Sequence, residues 1–249
     1  MTAKKLLEKI AEEYKSILGA KLAGIYVHGS LAFGCYNDKT SDMDFIAAVN
    51  KPLSLDEKKA IIASLSQLEN NAPEKGFEMS VVLAECCKKF VYPTPFELHY
   101  SAVYRQDAAN DIEAFCERMH GKDHDLAAHF TVIREVGFAV CGEPISKLFG
   151  EVPRECYLDS ITRDIAGAAE DIEYNPVYYT LNLCRVLSYI ESGKVHSKEQ
   201  GAQWAMENVP PVFSAVISEA LDCYRTAEPF PEDMPMTAFA EYMLSRINR

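Results

Sequence analysis

The chain has 249 residues, 48% of them apolar, with 12 Gly, 12 Pro and a formal net charge of -12. That balance describes a globular protein with material for one large or two moderate cores, and it excludes a disordered chain. The acidity argues against tracking a nucleic-acid backbone and suits a cationic small molecule, because an acidic cleft concentrates cations. No apolar run approaches the roughly 20 residues that span a bilayer. Eight cysteines without a C-x-x-C pair, with Cys86 and Cys87 adjacent and no signal peptide ahead of them, read as thiols of a cytoplasmic protein. The histidines His28, His99, His120, His124, His129 and His196 are scattered, so neither zinc nor haem is expected.

In chain order, MTAKKLLEKIAEEYKSIL carries the period of an amphipathic helix, and Leu22 to His28 follows as a strand. Phe45 to Val49 is a second strand. Ser54, with Glu57 three residues on, caps a helix running to Leu68. GFEMSVVLA reads as a third strand carrying Glu78, with Glu78 and Ser80 facing opposite to Met79 and Val81. The two prolines of VYPTPFELHYS break any helix before a short strand at Glu97 to Ser101. Helices are expected over Asp107 to Met119 and Leu126 to Val140. After Pro153 the pattern is helical, over Leu158 to Glu173, Val177 to Gly193, Ser197 to Asn208, Pro211 to Ala227 and Met236 to Ile247. The acidic, Pro-rich stretch at 227–235 is a loop, and Trp204 reads as core packing. The fold class that follows is an α/β domain with a mixed sheet over 1–150 and an all-α bundle over 151–249, with a ligand cleft between them.

The chemistry concentrates in residues 24–49, GIYVHGSLAFGCYNDKTSDMDFIAAV. Gly29-Ser30 ends one strand, and after an eleven-residue spacer Asp42-Met43-Asp44 enters the next. The i, i+2 spacing turns both carboxylates to one face. Their mutual repulsion is relieved by divalent cations, and an all-oxygen site suits Mg²⁺ shared with substrate phosphates. A glycine lets backbone approach a phosphate closely, and Ser30 supplies a hydroxyl and an N–H. Glu78, on a neighbouring strand, is a third carboxylate suited to accept a proton.

With these residues in place, the chain resembles the nucleotidyltransferase superfamily, whose pattern is GS, spacer, SD-x-D, and within it the aminoglycoside (3'')(9) adenylyltransferases. Similar blocks at 125–142, DLAAHFTVIREVGFAVCG, and 181–210, LNLCRVLSYIESGKVHSKEQGAQWAMENVP, extend the resemblance over nearly the whole chain. It implies that Asp42 and Asp44 hold two Mg²⁺ ions, that Ser30 in the Gly29-Ser30 turn contacts the nucleotide phosphates, and that Glu78 is the catalytic base. It also implies that Arg185, Lys198 and Tyr224 contact ATP from the C-terminal domain. The reaction so implied is Mg-dependent transfer of AMP from ATP to a hydroxyl of a spectinomycin- or streptomycin-class aminoglycoside.

For the acceptor, the resemblance retains Asp171 and places Ala166 and Asn175 where relatives carry a Trp and an Asp, with Val103 where they place a second Trp. Losing aromatic platforms and a charge weakens recognition of a streptomycin-like sugar. Asp171 and Glu173, expected on one long helix, are the remaining carboxylates for a cationic acceptor. An alternative keeps nucleotidyl transfer and changes the acceptor to an endogenous metabolite or a protein. A third reading makes the chain a non-catalytic nucleotide sensor or an antitoxin-like module, and the intact Asp42, Asp44 and Glu78 argue against it. Nothing in the sequence selects an oligomeric state or the hydroxyl modified.

Overall fold

A computed structural model describes all 249 residues, which divide into two compact units, Met1–Pro153 and Arg154–Arg249. The first begins with α1 (Ala3–Leu18), β1 (Leu22–Val27), α2 (Gly29–Phe33), β2 (Met43–Val49), α3 (Leu55–Leu68), β3 (Phe77–Leu83) and α4 (Ala84–Lys88). It continues with β4 (Thr94–Phe96), β5 (Leu98–Ser101), α5 (Arg105–Asn110), α6 (Ile112–Arg118), β6 (Gly121–Asp123), α7 (Leu126–Glu135), β7 (Phe138–Gly142) and α8 (Ile145–Leu148). The main sheet runs β5-β3-β2-β1-β7. It is mixed, with β2 and β3 parallel and every other neighbour antiparallel.

Strand alternation divides this unit's core. Odd-numbered β2 and β3 residues, Met43, Phe45, Ala47, Met79 and Val81, join Ile25 and Val27 under α1, α3 and α6, where they meet Leu7, Ile10, Tyr14, Ile61, Leu65 and Phe115. Even-numbered residues Tyr26, Ile46, Ala48 and Val82 face Leu126, Phe130 and Ile133 of α7 and Phe149 beyond α8. Each buried Val, Leu, Ile, Phe or Met side chain among these contributes about 1.5–3 kcal/mol by leaving water. Asp44 and Glu78 share the parity of that second face, at the heads of β2 and β3. Helix α3 starts where its capping box predicts: Ser54 Oγ accepts from the Glu57 N–H at 3.2 Å, and the Glu57 carboxylate accepts from the Ser54 N–H at 2.7 Å.

The second unit is wholly helical: α9 (Arg154–Arg163), α10 (Ala168–Asp171), α11 (Pro176–Ser192), α12 (Lys198–Asn208), α13 (Ser214–Thr226) and α14 (Met236–Ile247). Helix α11 is buried along Leu181, Leu183, Cys184, Val186 and Leu187, and α12, α13 and α14 pack on it. None of the helices is long and apolar enough to cross a membrane. All eight cysteines are free thiols.

Four expectations are corrected. The helix expected over Leu126 to Val140 stops at Glu135, and Phe138–Gly142 forms the outer strand of the main sheet against β1. Gly137 permits that reversal, since a Cβ there would lie 2.6 Å from Ile133 Cα and 2.8 Å from the Val27 carbonyl oxygen. The helix expected over Asp107 to Met119 breaks at Asp111, whose backbone leaves helical geometry and whose carboxylate accepts the Ala114 N–H at 3.0 Å. The helix expected over Leu158 to Glu173 starts earlier, at Arg154, and ends at Arg163, leaving Asp171 at the end of four-residue α10 and Glu173 in the turn beyond. Trp204 is half-buried rather than a core residue. The prolines of VYPTPFELHYS also sit beside an unforeseen strand, β4, paired antiparallel with β6.

Candidate active site

The parallel register of β2 and β3 sets Asp44 directly beside Glu78, and the two-residue step from Asp44 to Asp42 turns a third carboxylate the same way. One oxygen from each of Asp42, Asp44 and Glu78 lies within 4.8 Å of the others. Asp44 is buried, at 8% exposure, while Asp42 and Glu78 are half-buried. At an effective dielectric of about 20, unit charges at 4.8 Å repel by roughly 3 kcal/mol per pair. Three anionic oxygens with no nitrogen or sulfur donor among them suit a hard divalent cation, so the residues fit Mg²⁺.

The turn leaving β1 closes over these carboxylates. The His28 N–H donates to the Asp44 carbonyl at 3.2 Å, extending the β1–β2 ladder to the edge of Gly29. Gly29 has φ +61°, and a Cβ there would lie 1.8 Å from Asp44 Oδ2. No other residue fits, on both conformational and steric grounds. The Ser30 hydroxyl oxygen is buried without a hydrogen-bond partner. Leaving a hydroxyl unsatisfied costs about 1–3 kcal/mol, which a phosphate oxygen accepting a hydrogen bond from it would return. Gly29→Ala is therefore expected to lower the melting temperature by several degrees, through a loss of at least about 1–3 kcal/mol from left-handed strain alone, and to abolish nucleotide binding. Thermal unfolding with and without ATP checks both.

Histidines surround the base candidate. His129, on α7, puts Nε2 3.8 Å from Glu78 Oε1, and its ring stacks on His28 with centroids 4.3 Å apart and planes 25° apart. His99 Nδ1 and Ser80 Oγ are 2.9 Å apart on the neighbouring strands β5 and β3. Burial, followed by the neighbouring His129, pushes the His28 pKa well below its ordinary value; burial also lowers that of His99. The sequence treats these histidines as scattered because they are distant in it; only strand alternation and the α7 stripe bring them together. His28 lies lower in the folded than in the unfolded state, so its share of stability is complete above about pH 6.5 and is lost below it, by up to about 1.4 kcal/mol per pH unit. The fall in melting temperature between pH 7 and pH 5 is expected to be smaller in His28→Phe than in the wild type.

In the helical unit, Lys198 at the start of α12 holds Nζ 5.7 Å from the Tyr224 ring centroid and 5.5 Å from that of Tyr178. Arg185, on α11, donates to Asp164 Oδ2 at 2.8 Å, and the Tyr178 hydroxyl donates to Asp164 Oδ1 at 3.4 Å. The three expected nucleotide contacts thus belong to one chain of interactions, Arg185–Asp164–Tyr178–Lys198–Tyr224. Sequence reasoning missed two of its members. Tyr178 lies seven residues, two helical turns, before Arg185, a signal of a shared helix face, whereas Asp164 sits in an irregular turn and carries no periodic signal. Asp171 is exposed, and its Oδ2 lies 3.0 Å from where a Gly167 Cβ would stand, with the Tyr179 hydroxyl 2.8 Å from the same point. Glu173 accepts a hydrogen bond from the Thr237 hydroxyl at 2.9 Å.

Residues 147–246 match the family model described as the aminoglycoside adenylyltransferase C-terminal domain. The chain is 25% identical over 232 residues to the aminoglycoside (3'') (9) adenylyltransferase of Klebsiella pneumoniae, covering 88% of this chain and 87% of that protein. It is 25% identical over 220 residues to the spectinomycin 9-adenylyltransferase of Staphylococcus aureus, covering 85% and 81%. In fold it is similar to the spectinomycin adenyltransferase AAD(9) of Enterococcus faecialis, crystallised with ATP and spectinomycin, with a TM-score of 0.81, 16% identity and coverage of 98% and 99%. With the GS…SD-x-D site assembled on its mixed sheet and residues 147–246 matching this C-terminal model, the chain is similar over most of its length to the aminoglycoside (3'')(9) adenylyltransferases.

Proposed function

We propose that this protein transfers AMP from ATP to a hydroxyl of an aminoglycoside of the spectinomycin or streptomycin class. The observation that carries the reading is the convergence of Asp42, Asp44 and Glu78 within 4.8 Å beneath the Gly29-Ser30 turn. Asp42 and Asp44 would hold two Mg²⁺ ions, which when bound clamp the attacking and leaving oxygens of an in-line displacement. Ser30 donates its hydroxyl to the phosphates. Arg185 supplies a fork and Lys198 a point charge to offset phosphate charge, with Tyr224 beside the Lys198 ammonium. Glu78 takes the proton of the acceptor hydroxyl as its oxygen bonds to the α-phosphorus, and pyrophosphate departs. Asp171 pairs with an ammonium group of the acceptor.

The resemblance places Ala166 and Val103 where related acceptor sites carry aromatic residues, and Val103 is 82% exposed. That supports a second reading in which the transfer is the same and the acceptor is an endogenous hydroxyl compound. The test is incubation with ATP, Mg²⁺ and an aminoglycoside panel, followed by mass spectrometry. An AMP adduct on spectinomycin or streptomycin is expected. Adducts on no member, with ATP still consumed in the presence of a cell-extract metabolite pool, would transfer the assignment to the second reading.

A further inference from the structure

We propose that His129 is a positioning residue for Glu78, restraining Oε1 so that the carboxylate is oriented toward the acceptor hydroxyl, an inference that rests on the reading of Glu78 as proton acceptor. A glutamate carries three side-chain torsions, and ordering such a chain costs up to about 1.5–2 kcal/mol. A base left to sample them would seldom meet the hydroxyl in line. The neighbourhood of Glu78 contains a group suited to restrain it. His129 lies one turn from Leu126 and one turn from Ile133 on α7, both fully buried against the sheet face that carries Asp44 and Glu78, so the packing of this helix aims its ring at that face. The His129 side chain is 19% exposed, with Nε2 3.8 Å from Glu78 Oε1.

The ring is itself restrained. It stacks on His28, which is 4% exposed and tied by its backbone N–H to the Asp44 carbonyl, immediately before the turn bearing Ser30. The same pair of stacked rings therefore lies between the Gly29-Ser30 turn and Glu78. The Nε2–H donor is available from a neutral imidazole in that tautomer as well as from an imidazolium, so the restraint does not require His129 to change charge. At 3.8 Å the contact is longer than a hydrogen bond. Catalytic contacts of this length shorten when substrate fills the site.

Two variants separate positioning from packing. His129→Phe keeps a stackable ring and removes the donor; His129→Gln places an amide N–H near the position of Nε2 and removes the ring. Positioning predicts that His129→Phe loses about 10- to 100-fold in kcat, the scale of a base displaced by about 1 Å, with KM for ATP within about threefold. His129→Gln recovers most of that loss. A packing role predicts the reverse order, accompanied by a lowered melting temperature. Ring-nitrogen NMR of the histidines supplies a readout that needs no turnover: His129 carries its proton on Nε2, and that signal moves in Glu78→Ala. A proton on Nδ1 alone, a signal indifferent to Glu78→Ala, or full kcat in His129→Phe overturns the proposal. If the wild type adenylylates no aminoglycoside, the acceptor assignment fails instead, and the NMR result still decides the contact.

Discussion

Asp44→Ala is expected to reduce AMP transfer by at least about a thousand-fold, the equivalent of about 4 kcal/mol, while the melting temperature stays within a few degrees of wild type or rises. The activity loss follows from the position of Asp44, buried at 8% exposure, beside Glu78 in the β2–β3 register and in contact range of Asp42. No neighbouring oxygen occupies the same strand position to replace it as a metal ligand. Stability should behave differently, because three carboxylates within 4.8 Å repel one another and removing one relieves that repulsion. Steady-state transfer rates and thermal unfolding on the same preparation check the two halves. Turnover within tenfold of wild type would refute the two-metal assignment.

Glu78→Gln should lower transfer by about 10²- to 10⁴-fold and leave the ATP dissociation constant within a few-fold of wild type. The amide has the shape of the carboxylate and keeps one acceptor oxygen, but it cannot take a proton from the hydroxyl. Glu78 sits at the second position of β3 with its backbone paired to Asp44 on one side and Ser101 on the other, so the substitution leaves the sheet undisturbed. Calorimetric ATP titration and single-turnover transfer separate binding from chemistry. Preserved single-turnover rates would move the base to another residue. Lost ATP binding with a lost rate would make Glu78 a metal ligand in the same sense as Asp42 and Asp44.

Much of this architecture is legible in the chain because it is written in short-range periodicity. Alternation marks β1, β2 and β3, and the Ser54/Glu57 and Ser197/Gln200 boxes place the starts of α3 and α12. The Pro176 start and Gly193 end of α11 follow from the same local chemistry, with proline at the first helical turn and glycine at φ +71° after the last. What misleads is a segment whose local preference and tertiary role disagree. DLAAHFTVIREVGFAVCG continues a helical pattern past Glu135, yet β1 has an unpaired edge that Phe138–Gly142 satisfies, and ladder hydrogen bonds to that edge outweigh the propensity of five residues. Likewise Asp111 and Gly167 interrupt helices that composition alone would carry through.

The site divides along the same line. Sequence alone determined the identities and pairwise spacings that matter, Gly29 before Ser30 and Asp42 two before Asp44, because a strand's two-residue period translates directly into a shared face. It also placed Glu78 on a strand with the correct parity. Tertiary structure alone decided that β2 and β3 run parallel and in the register that sets Asp44 beside Glu78, that Gly29 has no space for a Cβ against Asp44 Oδ2, and that the stacked rings of His28 and His129 lie next to Glu78. It likewise joined Asp164 and Tyr178 to Arg185 and Lys198. The reason is physical: register, close approach and ring stacking depend on which distant segments share a surface, and that is settled by burying the whole core at once rather than by any local pattern.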